Sequence, residues 1–138
     1  MGIRARVEDA LLLYKHGRYE GAFLNALIAV AGSARRECSS RSVSDRDCFV
    51  HFLDRRWRGV LAVEFRGECH PIPHIFYKWF RCELVHEGEL PVDIELLDTD
   101  EMSVRAGGSP EYVLRISRGW FHWFIRSVVE APCNSGDF

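Results

Sequence analysis

Residues 18–36 carry Tyr19, Phe23, Ala26, Leu27, Val30 and Ala34 at three- and four-residue spacing. Only an α-helix places such a set on one face. Interspersed with them are Ala22, Ala29, Ala31 and Gly32, whose small size lets a neighbouring helix approach closely. This is the strongest constraint on the fold: the chain must build a helical core around one long, lean helix.

The flanking segments read the same way. Residues 4–16 place Val7, Ala10, Leu11 and Tyr14 on one face, and Gly17 ends that helix. Serines at 39, 40, 42 and 44 mark a loop, with Ser44 as N-cap and Asp47 three residues on. A helix over about 45–58 follows with Phe49, Phe52, Leu53 and Trp57, stopped by Gly59. Pro71 and Pro73 fix another start near His74, whose helix carries Phe76, Trp79, Phe80 and Leu84 and ends at Gly88 and Pro91. The period then changes from helical to alternating. Val92, Ile94 and Leu96 alternate with acids, Met102, Val104 and Ala106 with polar residues, and Tyr112, Leu114 and Ile116 follow a Gly107-Gly108-Ser109-Pro110 turn. A last helix spans about 118–130, Pro132 closes it, and the tail after Cys133 reads as loose. The expected fold is mainly α: an up-and-down helical bundle with a small antiparallel β hairpin or meander. Residues 1–138 form one domain, with the β appendage at about 92–116.

Five cysteines, an odd number without a Cys-x-x-Cys pair, predict a reducing compartment rather than a disulfide framework. The first residues lack a signal peptide's apolar run, and no stretch nears the roughly 20 apolar residues that span a bilayer. The expectation is a cytoplasmic protein without membrane contact. Sixteen of the 18 basic residues are arginine. From Arg35 to Arg66 eight arginines face five acids, whereas Glu83–Glu101 holds eight acids and no Lys or Arg. A basic middle can meet phosphates through guanidinium forks, although ordinary solvated helix faces account for the same pattern. Phe76, Tyr77, Trp79, Phe80, Trp120, Phe121, Trp123 and Phe124 read as core, and His122 with Arg126 as an exposed face of the last helix.

The run Phe76-Tyr77-Lys78-Trp79-Phe80-Arg81-Cys82-Glu83-Leu84-Val85-His86-Glu87-Gly88 places an arginine and a histidine five positions apart at the end of an apolar helix. Spacing alone says little, because about one such pair arises by chance at this arginine and histidine content. A second pair, Arg46/His51, lacks the flanking pattern. With aromatics before the arginine and Leu-Val-His-Glu-Gly around the histidine, the run resembles the motif helix of HEPN domains. That resemblance implies a helical bundle and a metal-independent endoribonuclease leaving 2′,3′-cyclic phosphate and 5′-hydroxyl ends. Arg81 would bind and polarise phosphate, and His86 would act as general acid and base, the imidazole being the side chain that changes charge near neutrality. Cys82, Glu83 and Glu87 would support them. Cys82 departs from the family pattern, which usually has a polar residue after the arginine.

Five helical residues advance about 7.5 Å and rotate about 140°, so Arg81 and His86 do not share a face. A two-fold homodimer bringing two such helices together would make a composite cleft. The alternative reading is a non-catalytic HEPN-like module that binds RNA, nucleotide or an antitoxin-like protein partner. A third is purely structural, with Arg81 paired to Glu87 or Asp93. No cofactor is expected. Cys69, His70, His74, Cys82 and His86 have ligand chemistry but lack the tight pairing of zinc sites, so no metal is expected either.

Overall fold

The computed structural model describes residues 2–108 and 112–138. The fold is mainly α-helical with two small sheets, and its buried apolar residues form one cluster. Helix α1 (Ile3–Lys15) lies along α2 (Tyr19–Glu37) because α2 offers it almost no bulk. A Cβ added at Gly21 would stand 3.3 Å from Leu13 Cδ1, and one at Gly32 would stand 3.3 Å from Ile3 Cγ1. The α2 stripe is buried as its spacing predicts. Phe23, in its second turn, meets Phe80, Phe121 and Phe124 with ring centroids 5.8–6.2 Å apart. Such pairs add about 1 kcal/mol each beyond area burial.

Helix α3 (Asp45–Asp54) starts where the sequence places it, with the Asp47 N–H donating to Ser44 Oγ at 3.1 Å. It ends four residues earlier than expected. Arg56 Nη1 takes the Phe52 carbonyl at 2.8 Å, the acceptor its own N–H would use in a continuing helix, and that N–H turns to Leu53 O at 3.0 Å. Cys38, just past α2, and Cys48 in α3 are bonded as a disulfide with Cα atoms 5.7 Å apart. This corrects the expectation of thiols only; Cys69, Cys82 and Cys133 are free.

The sequence reading assigns no element to 60–71, yet β1 (Ala62–Phe65) and β2 (Glu68–Pro71) form an antiparallel hairpin. Arg66 and Gly67 make its two-residue turn, both at positive φ (53° and 81°), as the favoured hairpin turns require. A short helix α4 (Ile72–Ile75) then runs into a π-helical segment (Phe76–Arg81) and α5 (Cys82–His86). The π turn has a reason in the sequence. Ile72, Phe76, Phe80 and Leu84 repeat every four residues, and in an α-helix each such step drifts 40°, about 120° over three. The wider turn, in which the Cys82 N–H bonds Tyr77 O, absorbs that drift and keeps all four residues buried.

The second sheet contains β3 (Ile94–Leu97), β4 (Val104–Arg105) and β5 (Leu114–Ser117), in the order β3-β5-β4. The expected antiparallel hairpin or meander is therefore corrected. β3 pairs with β5 in parallel, Ile94 opposite Leu114, and only β4 is antiparallel to β5. Burial explains the order: Leu114, Ile116 and Ser117 are all buried, which suits a central strand. Of the predicted Gly107–Pro110 turn, Ser109 and Pro110 lie outside the described residues. Helix α6 (Trp120–Glu130) buries its aromatics against α2 and the π segment. The tail is not loose after Cys133, as the sequence suggests. A 3₁₀ turn (Pro132–Asn134) brings Asn134 into the core, where its amide donates to Ser33 Oγ (2.7 Å) and Val128 O (2.9 Å).

Candidate functional site

Arg81 is the last residue of the π segment and is half-buried. It lines a cavity of about 270 Å³ between α2, α3 and the π segment, whose polar walls are Arg35, Asp45 and Tyr77. Its Nε is buried and has no hydrogen-bond partner. The guanidinium carbon lies 5.6 Å from the Tyr77 ring centroid, within cation–π range. Asp45, the one acid of the cavity, is committed to Arg35, whose Nε donates to Asp45 Oδ1 at 3.1 Å and whose Nη2 also reaches Val43 O at 3.0 Å. That hydrogen bond holds the Asp45 carboxyl below the usual range, with Arg81 adding a smaller pull in the same direction. Burial, then neighbouring Cys82, pushes the Tyr77 hydroxyl up, so it stays a neutral donor in the physiological range.

The structural partnership considered for Arg81 does not form with Asp93. Arg66 holds that carboxylate with both oxygens, at 2.8 and 2.9 Å. Among the described residues Arg81 makes no ion pair, so its cavity contains a recessed cation with donors to spare. Unsatisfied buried donors of this kind are rare, and an oxyanion in the cavity would satisfy this one.

His86 closes α5 beside Gly88 (φ +76°) and is exposed. Glu83 is half-buried one turn before it, and Glu87 is exposed next to it. Cys82 is half-buried, with a free thiol. Within this chain Arg81 lines a cavity and His86 is exposed to solvent. The second pair, Arg46 and His51, is exposed on α3.

His70 and His74 meet as stacked rings 5.3 Å apart, with Trp79 edge-on to both at 4.8 and 5.7 Å. Burial, then His70, Lys78 and Arg46, lowers the His74 pKa below its usual 6.5. A histidine kept neutral by the fold contributes stability that is present above the unfolded value and lost as pH falls below it. His74→Gln should therefore narrow the difference in Tm between pH 7.5 and pH 5. Thermal melts of both chains at the two pH values measure this, and an unchanged gap would refute the assignment.

A family model described as Rv1289 matches residues 2–137. The chain belongs to the Rv1289 family. No curated protein and no solved structure matches it. For this Rv1289-family chain the sequence singled out Arg81 and missed the residues that build its cavity. Arg35, Asp45 and Tyr77 come from three separate elements, and their convergence has no local signature beyond the arginine excess of 35–66.

Proposed function

We propose that this Rv1289-family protein is a HEPN-like helical bundle acting in the cytoplasm as a metal-independent endoribonuclease, with its site shared across a homodimer. One observation carries the reading: a recessed Arg81 guanidinium, stacked over Tyr77, with a free buried Nε and no carboxylate of its own. Such a group suits a phosphodiester anion better than a structural ion pair. Arg81 would hold a non-bridging phosphate oxygen as charge builds on it. His86 of one protomer would take the 2′-hydroxyl proton as that oxygen attacks phosphorus. The resulting imidazolium would return that proton to the departing 5′-oxygen as the P–O5′ bond breaks, with the twin's Arg81 holding the phosphate.

Purified protein incubated with single-stranded RNA in EDTA should yield 2′,3′-cyclic phosphate and 5′-hydroxyl ends. Arg81→Ala should slow this by about 10²–10³-fold. Intact RNA after prolonged incubation with wild type, or cleavage indifferent to Arg81→Ala, would sink the nuclease reading.

Cys82 supports a second reading. Its half-buried thiol, a weak donor, stands where HEPN nucleases usually carry a polar residue. The protein would then be a non-catalytic module for RNA, nucleotide or an antitoxin-like partner. RNA would survive intact yet raise Tm in an Arg81-dependent manner.

A further inference from the structure

A second arginine cluster lies away from Arg81, at the junction of the α2 C-terminus, the turn after α3, and α6. There a cavity of about 590 Å³ is lined by Arg55, Arg56, Arg58 and Arg126 against only Glu37 and Glu130. Two of these guanidiniums are architectural. Arg56 lies 3.7 Å over the Phe52 ring and donates to Phe52 O and to Glu37 Oε1, each at 2.8 Å; Arg55 reaches Glu37 Oε2 at 3.4 Å. Glu37 thus serves two cations at once and leaves the wall positive. The other two are unclaimed: among the described residues neither Arg58 nor Arg126 has an ion pair or a hydrogen bond to its side chain. They come from different elements, and both line this cavity together with Trp123 and Pro132. The volume falls in the range of small-molecule sites.

We propose that this cavity binds a pyrophosphate-bearing ligand, with Arg58 and Arg126 each gripping one phosphate group. Two free forks suit two linked phosphates, because each planar guanidinium pairs bidentately with one group. Arg55 and Arg56, neutralised only in part by Glu37, add to the field that draws the anion in. The ligand's organic part, where it has one, would rest against the indole of Trp123, whose neighbour Trp57 packs edge-on to it at 5.5 Å. This site stands independently of Arg81 and of the nuclease reading.

Isothermal titration with inorganic pyrophosphate tests it. In an Arg81→Ala background, which removes the phosphate-binding guanidinium of the other cavity, Arg58→Ala/Arg126→Ala should bind at least about tenfold more weakly, the scale of losing charge-assisted hydrogen bonds. Both substituted residues are exposed, so circular dichroism should find the double variant folded. Arg58→Lys/Arg126→Lys, which keeps the charge and loses the forks, should recover only part of the affinity. ADP and a 5′-triphosphorylated oligonucleotide identify the carrier: whichever binds more tightly than pyrophosphate supplies the group in the cell. No heat with pyrophosphate, or equal binding by the folded double alanine variant, overturns the proposal.

Discussion

Mixed in equal amounts, Arg81→Ala and His86→Ala chains should regain ribonuclease activity that neither shows alone. Each change removes one half of the proposed chemistry, so each homodimer should fall by about 10²-fold or more. A mixed dimer keeps one intact Arg81, from the His86→Ala chain, and one intact His86, from the Arg81→Ala chain. Random exchange makes about half of the dimers mixed, which sets the ceiling on recovery. The expectation rests on the position of each residue. Arg81 is half-buried in the α2–α3 cavity, whereas His86 is exposed beyond the next helical turn, so one chain does not aim both at one phosphate. Wild type mixed with the Arg81→Ala/His86→Ala double variant is the control. Its mixed dimers hold both good residues on the same chain and should add little activity. Native mass spectrometry shows whether mixed dimers form. If they form and activity does not return, the composite site is wrong.

How legible this molecule was in its sequence depends on the range of the interaction that decides each feature. The limits of α1 and α2 follow from local stripes and from Gly17, and the Ser44 cap was readable because capping is a contact three residues long. The hairpin at 62–71 escaped because only Phe65 of its first strand is buried, leaving no alternation to see. The strict four-residue repeat Ile72, Phe76, Phe80, Leu84 did announce a turn wider than α, although it reads at first as an ordinary apolar stripe. The parallel pairing of β3 with β5 and the docking of Asn134 on Ser33 join residues 20 and 101 positions apart, and period alone cannot encode either. The site divides likewise. Arg81 and His86 share a local motif, whereas the cavity around Arg81 and the cluster of Arg58 with Arg126 are assembled by packing across elements.

Among the glycines whose surroundings the structure describes, Gly119→Ala should be the most damaging single methyl added. Its backbone (φ −59°, ψ −22°) is one that any residue adopts, so conformational freedom is not the issue. Space is: a Cβ there would stand 2.3 Å from Asp100 O and 2.6 Å from both Asp100 C and Glu101 O. These are backbone atoms of a segment pinned from several sides, so it has little room to yield. Thr99 O accepts the Gly119 N–H at 3.1 Å, Asp100 Oδ1 accepts from Tyr14 and Arg118 at 3.1 and 3.2 Å, and Ser103 O accepts from Trp120 Nε1 at 3.1 Å. Overpacking typically costs about 1–3 kcal/mol, and this rigid case belongs at the top of the range, lowering Tm by roughly 10 °C. Gly88→Ala gives the contrast. That residue has φ +76° and open space around it, so it should lose only about 1 kcal/mol through backbone strain. Denaturant melts of the two variants rank them. An order with Gly88→Ala the worse would mean that the 98–103 segment gives way at Gly119, and that the junction of the second sheet with α6 is softer than its hydrogen bonds imply.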